Sequence, residues 1–415
     1  MPFVLMLYLG LAPIYWLPGI PFEMLAQFKT GLFVLAAGLL FLTGVVGERA
    51  HFPPGLFGPA GLGLSLLAIT GGIFQSEIAP AVTAVKDYLL VFSTLWMFYL
   101  LVQMQMDVEK ILLGASLLVA IACVPVFASK YLGGPDFAGP SQFVADHLWI
   151  SGFSSVRTGW SNGIALYVAP LLLVLVRPMR SGFLLKALCG LAVCAIILAQ
   201  ITVAGRAGMV ASLLVLLFAF STRGYRTVLL VIAVAGIVFV ALNPNTVASH
   251  LRITRDPATQ QGADDIDTIS AGRLQGDIVG IQRALESPLI GHGLRNAVVG
   301  DGEIHNLWIR LANESGLFAP IVLLVIVAGV SRRALMMVRQ AGFDRRQRFR
   351  SNVCLGAIAG GVFMSMVEPR ILLGTFQISV MWWAFAGLVC ASALRRPVRE
   401  QPVVAATQPP LMNFV

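Results

Sequence analysis

The chain has 415 residues, of which 57% are hydrophobic and 12% are charged, and its mean hydropathy is +0.83. Soluble globular proteins average about 45–50% apolar and about 25% charged residues, and disordered chains are polar, so both classes are excluded. The composition therefore predicts an all-α polytopic membrane protein. In such a protein the placement of the net charge of +9 indicates orientation, and we expect no nucleic-acid partner.

Apolar runs predict about twelve membrane-spanning helices, because a helix needs about 20 apolar residues to cross the hydrocarbon core. The predicted spans cover residues 3–20, 29–46, 55–74, 87–105, 111–129, 161–176, 183–204, 207–220, 227–242, 309–330, 351–367 and 371–394. Residues 1–394 are expected to form one transmembrane domain with a retained first helix. The proline-rich tail 395–415 is expected to be disordered and cytoplasmic.

Basic residues predict the orientation of these spans. Both termini fall on one side of the membrane, together with most of the basic residues. These include Arg49, Lys110, Arg177, Arg180, Lys186, Arg223, Arg226, the run 332–350 and the tail 395–399. By the positive-inside rule this side is the cytoplasm. Most acidic residues fall on the other side with the long connections 130–160 and 243–308, where we expect an outward-facing active site.

The apolar run from Phe183 to Phe220 is nearly twice as long as one crossing, so it is expected to fold into a hairpin with its turn at 204–208. Arg206 stands at this turn. An arginine within the membrane costs at least about 2.5–3.5 kcal/mol unless it faces a cavity, an anion or a headgroup. Two interpretations stay open: Arg206 reaches lipid phosphates, or it faces a polar cavity that receives a charged ligand.

The connection 243–308 contains two predicted helices. The first covers Arg273–Glu286 and is amphipathic, because its apolar residues recur on one face at helical spacing. Those residues are Leu274, Ile278, Ile281 and Leu285. Pro288 and the glycines at 291 and 293 then break the chain. A second helix is expected to begin near His305 and to run directly into the span 309–330.

Arg273 lies in the first turn of the amphipathic helix, where free N–H groups and the helix dipole favour an anion. Its guanidinium adds a forked donor for such an anion. The alternative is an ion pair with Asp277, one turn later, which contributes only about 0.2–0.5 kcal/mol on an exposed helix.

His305 is the strongest catalytic candidate, because it stands where the external connection meets the membrane. A helix N-terminus disfavours the imidazolium, so the histidine is expected to be neutral and able to accept a proton. Polar side chains follow on one face of the helix and apolar ones on the other. The polar residues are Asn306, Arg310 and Asn313, and the apolar ones are Leu307, Trp308 and Leu311. The alternative is a structural histidine.

Metal, disulfide and nucleotide chemistry are not expected. The acidic run 264–267 offers oxygen ligands for a divalent cation, but no further ligand is spaced around it, so a solvated loop is the favoured interpretation. The cysteines lie in apolar runs and are expected to be small buried residues: Cys123, Cys189, Cys194, Cys354 and Cys390. No nucleotide-binding loop, nucleophile elbow or zinc-protease motif occurs along the chain.

Several short motifs occur in a fixed order over roughly residues 157–330. They are Arg157-Thr158-Gly159-Trp160-Ser161-Asn162, Gly205-Arg206-Ala207-Gly208, Ser270-Ala271-Gly272-Arg273, Pro288-Leu289-Ile290-Gly291-His292-Gly293, and His305-Asn306-Leu307 with Glu314-Ser315-Gly316-Leu317. In this order they resemble the O-antigen ligase and O-antigen polymerase superfamily of bacterial inner-membrane glycosyltransferases. The hairpin motif departs from the family's at Gly205 and Ala207, where serine and glycine are usual, and a tryptophan common after the Arg273 position is absent.

The resemblance implies a type C glycosyltransferase-like bundle with a helical periplasmic loop. The donor would be a glycan on undecaprenyl diphosphate, and transfer would be inverting and would need neither a metal nor a cofactor. His305 would be the catalytic base, and Arg206 and Arg273 would bind the diphosphate. Further substrate-binding positions would be Arg157, His292, Asn306, Arg310 and Glu314.

The resemblance also implies a location and a choice of acceptor. The protein would lie in the bacterial inner membrane among its lipids, with both termini cytoplasmic and the active site facing the periplasm. A ligase transfers the glycan to the lipid A-core of lipopolysaccharide, whereas a polymerase uses another lipid-linked glycan. A large external loop that carries both Arg273 and His305 is typical of the ligase-like members, so the connection 243–308 favours the ligase. A flippase or other transporter of lipid-linked glycans is the alternative from another class, and it predicts repeats and mid-membrane charges that the sequence lacks.

Overall fold

The computed structural model describes residues 1–15, 17, 20–46, 57–74, 78–131, 142–144, 147–149, 153, 157–175, 182–203, 205–222, 227, 273–293, 298–299, 302–369, 371–373 and 376–392. Helices make up most of this part of the chain. They are α1 (Pro2–Leu11), α2 (Phe22–Val46), α3 (Phe57–Phe74), α4 (Ile78–Gln103), α5 (Val108–Tyr131), α6 (Arg157–Ala165), α7 (Val168–Leu175), α8 (Phe183–Thr202), α9 (Arg206–Phe220), α10 (Arg273–Glu286), α11 (Leu307–Ser315), α12 (Phe318–Gln340), α13 (Arg345–Val367) and α14 (Phe376–Ser392).

Among the described residues, six helices are long and apolar enough to cross a membrane. They cover Phe22–Thr43, Ile78–Gln103, Val108–Ala128, Phe183–Thr202, Phe318–Gln340 and Arg345–Val367. Shorter apolar helices cover Pro2–Leu11, Ala60–Phe74, Gly159–Val174, Arg206–Phe220 and Ile378–Ser392. The prediction of a helical, membrane-embedded protein is confirmed. The number of about twelve spans stays a prediction, and residues 227–242 and 395–415 lie largely or wholly outside the described residues.

Several predicted helix boundaries differ from those of the described helices: α4 begins at Ile78 rather than at residue 87, and the span 161–176 is divided between α6 and α7. The helix expected over 3–20 ends at Leu11, because Pro13 has no N–H to continue the hydrogen-bond ladder. The helix expected to run from His305 into the membrane is interrupted between α11 and α12 at Gly316, whose φ is +80°. The break at Leu11 has a local cause, whereas the break at Gly316 depends on contact with residues 288–289, which sequence periodicity does not report.

Two short antiparallel hairpins occur in the part of the chain that the structure describes. β1 (Gln142–Val144) pairs with β2 (His147–Trp149), and β3 (Val298–Val299) pairs with β4 (Gly302–Glu303). Strands of two or three residues are too short to produce the apolar alternation that identifies a strand in a sequence. They lie in the two long connections and leave the helical class of the protein unchanged.

Glycines set the close contact between α9 and α13. Gly356 and Gly360 are four residues apart on one face of α13. A Cβ at Gly360 would lie 3.1 Å from the Ala211 carbonyl oxygen, and one at Gly356 would lie 3.0 Å from the Val215 Cα. Small residues at this spacing let membrane helices approach backbone to backbone.

The same contact defines two ends of the bundle. Gly360 lies beside Ala211 near the start of α9, whereas Asn352 donates to the hydroxyl of Thr222, just past the end of α9, at 3.0 Å. The two helices are therefore antiparallel. We call the end at which α9 begins and α13 ends the loop end, and the end at which α12 ends and α13 begins the basic end.

The expectation that every cysteine is buried is wrong for Cys194, which is exposed on α8. Leu191 and Leu198 flank it on the same face and are exposed as well, whereas Cys189 on another face is buried. An apolar run in a membrane helix includes residues that face lipid, so hydrophobicity alone does not predict burial within the protein.

Candidate functional site

Ser161, in the second turn of α6, holds the tip of the α8–α9 hairpin. Its hydroxyl donates to the Gly205 carbonyl oxygen at 2.8 Å. A Cβ at Gly205 or at Gly208 would collide with Ser161, so both positions require glycine. This contact explains the glycine at position 205, where the resembled family has serine.

A buried polar network stabilises the same tip from inside the bundle. The Gln200 amide donates to the Ser161 carbonyl oxygen at 3.1 Å, and its own oxygen accepts from the Ser212 hydroxyl at 3.1 Å. All three side chains are buried. Gln200 is not among the residues predicted from the sequence. An amide within the apolar run of α8 is nevertheless a detectable signal, because a buried amide must be hydrogen-bonded.

Two predicted arginines lie at this tip by backbone position. Arg206 is the first residue of α9, directly after Gly205, and it is half-buried. Arg157 is the first residue of α6, about one turn before Ser161. Since Ser161 contacts the tip, the starts of α6 and α9 lie together, and helix N-termini carry positive partial charge.

A second unit forms where the segment 288–293 docks on the junction between α11 and α12. His292 N donates to the Asn313 carbonyl oxygen at 2.7 Å, and Leu317 N donates to the Pro288 carbonyl oxygen at 2.8 Å. Two of the sequence motifs are thus joined through their backbones. Backbone hydrogen bonds at both ends of the segment fix its position on the junction.

Two glycines make this docking possible. Gly291 and Gly316 have φ values of +76° and +80°, which L side chains rarely adopt. A Cβ at Gly291 would lie 2.5 Å from the Glu314 carbonyl carbon, and one at Gly316 would lie 2.5 Å from the Leu289 carbonyl oxygen. Gly316 therefore ends α11, which explains why the helix does not continue into α12.

His305 lies between two fixed neighbours. Ile304 is fully buried, and the Asn306 side chain caps α11 by accepting from Trp308 N at 2.9 Å. Asn306 N donates to the Asp277 carboxylate of α10 at 3.3 Å, so this carboxylate, the alternative partner of Arg273, contacts the His305 segment. His305 is half-buried and its Nδ1 is shielded from solvent.

The predicted polar stripe of α11 does not form an open face. Arg310 Nε donates to Glu314 Oε1 at 2.8 Å, and Asn313 is fully buried. The ion pair borders a cavity of about 60 Å³ that Asp87 and Tyr88 of α4 also line. Helix α11 packs on α3 and α13 as well as on α10, so its polar residues point into contacts between helices.

The remaining predicted residues belong to α10 and the docked segment. His292 Nε2 lies 3.6 Å from a Glu286 carboxylate oxygen, at the end of α10. Arg273 is the first residue of that helix. The acidic run 264–267 and Ser270 lie outside the described residues.

Trp308 connects the two units. Its indole N–H donates to the Ser365 hydroxyl at 3.1 Å, near the end of α13. The end of α13 lies beside the start of α9, where Arg206 stands. Arg206 and His305 therefore come to the loop end of the bundle together. Arg157 joins them through α6, and α10 packs on α11.

Lys29 is a buried lysine that is not among the residues predicted from the sequence. Its Nζ donates to the Ile14 carbonyl oxygen at 2.8 Å and lies 5.2 Å from the centre of the Tyr15 ring. Both partners follow the end of α1, where chain carbonyls and the helix dipole favour a cation. A lysine in an otherwise apolar span was the available signal, and its contacts are those of a structural cap.

No family model matches the chain. No curated protein matches it either.

Proposed function

We propose that the protein is an O-antigen ligase-like glycosyltransferase of the bacterial inner membrane. It transfers a glycan from undecaprenyl diphosphate to a sugar hydroxyl of the lipid A-core at the periplasmic face. One observation carries the proposal: the motifs at Arg157, Arg206, His292 and His305 are far apart in sequence and meet at the loop end in two docked units. A type C glycosyltransferase-like bundle is the fold that we propose with it.

The proposed reaction is a single displacement at the anomeric carbon. The acceptor hydroxyl oxygen attacks this carbon, and His305 takes the hydroxyl proton as a general base. The bond from the carbon to the diphosphate oxygen breaks, and undecaprenyl diphosphate leaves with the electron pair. Attack opposite the leaving group inverts the configuration. The fixed positions of Ile304 and Asn306 support this role, because they hold His305 in place.

The leaving diphosphate gains negative charge, which we propose that Arg206 and Arg273 neutralise. Guanidinium groups and helix N-termini favour phosphate oxygens, and each of these arginines begins a helix. This arrangement performs the electrostatic task that a divalent cation performs in metal-dependent transferases. No metal or cofactor enters the proposed reaction.

Arg157, His292, Asn306, Arg310 and Glu314 are proposed to line the binding site. Three of them also hold the loop end together: Asn306 caps α11, and Arg310 pairs with Glu314. Their replacement is therefore expected to change protein stability as well as substrate binding, so activity alone cannot assign them a role.

The proposal is tested by deleting the gene and analysing surface polysaccharide and lipid-linked glycan. A ligase leaves long polymer stranded on undecaprenyl diphosphate and lipopolysaccharide without it. Lipopolysaccharide capped with a single repeat would identify a polymerase instead, with another lipid-linked glycan as the acceptor. Repeats that accumulate facing the cytoplasm would identify a flippase and would overturn the proposal. Complementation with the His305→Ala gene is expected to reproduce the deletion.

A further inference from the structure

We infer that α10 lies in the membrane interface at the loop end, with its apolar face in contact with lipid. The residues that the sequence places on one face of α10 are exposed rather than packed against protein. Their exposed fractions are 43% for Leu274, 42% for Ile278, 48% for Ile281 and 64% for Leu285. This inference depends on α10 and its surroundings and not on the transfer reaction.

The side of α10 that packs against protein explains why the apolar face points outward. Gly280 and Ala284 lie on the packed side, and a Cβ at Gly280 would lie 2.8 Å from Ile304 and 2.9 Å from Ile309. The close approach to the start of α11 uses the small residues, so the large apolar residues remain on the outer surface. Glu286 and Gln282 lie on a third, polar side. A helix with separate packed, apolar and polar sides suits a boundary between protein, lipid and water.

The apolar face of α10 continues into the surface of a membrane-spanning helix. After α10, Leu289 is 66% exposed, and the hydrogen bond from Leu317 N to the Pro288 carbonyl oxygen brings it to the start of α12. Phe318 and Ile321 on α12 are 54% and 55% exposed. Because α12 is one of the candidate spans, its exposed apolar side chains face lipid. The same lipid therefore covers the neighbouring face of α10.

The position of α10 at the lipid surface affects the position of His305 at the loop end. α10 binds the His305 segment through Asp277, whose carboxylate accepts from Asn306 N at 3.3 Å. A helix held at the lipid surface therefore fixes the height of His305 at the membrane boundary. Helices of this kind bury their apolar face about 5–10 Å into the boundary region.

The experiment measures the depth of a fluorescent label on adjacent positions of α10. Ile281→Cys and Gln282→Cys, each made in a Cys194→Ser background, point about 100° apart on the helix and are both exposed. The full chain is placed in nanodiscs and labelled with bimane. Quenching is compared between lipids brominated on the acyl chains and iodide in the buffer. Leu285→Cys supplies a second position on the apolar face if Ile281→Cys does not fold.

The expected result is at least about twofold stronger quenching by brominated lipid at Ile281→Cys than at Gln282→Cys, with the reverse order for iodide. Equal quenching by brominated lipid at both positions would overturn the inference. Protection of Ile281→Cys from both quenchers would also overturn it, because it would show that protein covers this face. Neither outcome depends on activity, so failure of this inference and failure of the proposed transfer reaction are distinguishable.

Discussion

Two ion pairs, one at each end of the bundle, differ mainly in their burial. At the loop end, Arg310 and Glu314 lie 2.8 Å apart, with side chains that are 13% and 7% exposed. At the basic end, Arg350 pairs with Glu109, and these side chains are 57% and 18% exposed. The loop-end pair lies within the contacts of α11, whereas the basic-end pair lies among many exposed arginines of α12 and α13.

The difference separates two uses of arginine in a membrane protein. Exposed arginines at the basic end fit the positive-inside rule, which is a rule about orientation and predicts no ligand. Of the arginines whose side chains the structure describes at the loop end, Arg206 and Arg283 are half-buried and Arg310 pairs with Glu314. Burial of a charge costs free energy, so arginines that are retained there need a partner or a function.

Cavity size does not identify the site in this molecule. The larger cavity, of about 410 Å³, lies at the basic end beside Glu109, Gln347 and Arg350. The smaller cavity, of about 60 Å³, lies at the loop end beside Arg310 and Glu314. We propose the function at the loop end because separate sequence motifs meet there.

The largest expected effect comes from removing one charge of the loop-end ion pair. Glu314→Gln removes the carboxylate that accepts from Arg310 Nε at 2.8 Å, and loss of a partner from a buried ion pair is expected to destabilise the protein by about 3–5 kcal/mol. The matched change at the basic end, Glu109→Gln, is expected to cost less than about 1 kcal/mol, because an exposed pair contributes little. Chemical unfolding in bicelles measures both. Equal losses of unfolding free energy in the two variants would show that the difference in burial does not affect stability.

A glycine at each end gives the next largest difference. Gly316→Ala at the loop end combines a φ of +80° with a collision against Leu289, and it is expected to cost about 1–3 kcal/mol or more. Gly342 at the basic end has a φ of +52° and no close neighbour except Gln340. Gly342→Ala therefore measures only the cost of placing a side chain on this backbone conformation. The same unfolding measurement is used. Similar costs for the two variants would mean that the docked segment does not require Gly316.

Arginine geometry is expected to matter at the loop end only. Arg206→Lys keeps the charge but loses the forked donor, so the affinity for a polyprenyl-diphosphate donor is expected to fall about tenfold. Arg346→Lys, on the exposed surface of α13, is expected to leave the affinity unchanged. Donor binding to the purified proteins measures the difference. If Arg206→Lys binds like the wild type, Arg206 acts only as a point charge or a structural residue.

The smallest expected effect is that of removing the carboxylates of the acidic run 264–267, which are the candidate metal ligands. The variant with Asp264→Asn, Asp265→Asn and Asp267→Asn is expected to retain transfer, as is the wild type in excess EDTA. The reason is that the proposed arginines neutralise the diphosphate. A complete loss of transfer in EDTA that magnesium or manganese restores would make the acidic run the catalytic centre.

Local patterns predicted the helical elements because hydrophobicity and length decide whether a segment enters a membrane. The hairpin turn at Arg206 and the amphipathic helix Arg273–Glu286 follow from the same reasoning and agree with α9 and α10. The break at Leu11 follows from Pro13 and was therefore available from the sequence. The break at Gly316 could not be predicted in this way. Gly316 ends α11 because a segment more than 20 residues earlier packs against it, and periodicity within a helix contains no information about that contact.

In the candidate site as well, contacts between distant parts of the chain could not be predicted from the sequence. Asp277 was considered as a partner for Arg273 within one helix, whereas its carboxylate contacts Asn306 on another segment. Gln200 was missed because its partners, Ser161 and Ser212, lie on two other helices. Residue type and position make His305 and Arg206 candidates, but only the packing of α9 on α13 brings them to one end.

The most direct test of the central claim is glycan transfer by the purified protein from an undecaprenyl-diphosphate-linked donor to lipid A-core. We expect the wild type to transfer the glycan and His305→Ala to be at least about 100-fold slower while it still binds the donor. Arg346→Ala, at the basic end, is the matched control and is expected to transfer at the wild-type rate. Near-normal turnover by His305→Ala would contradict the account.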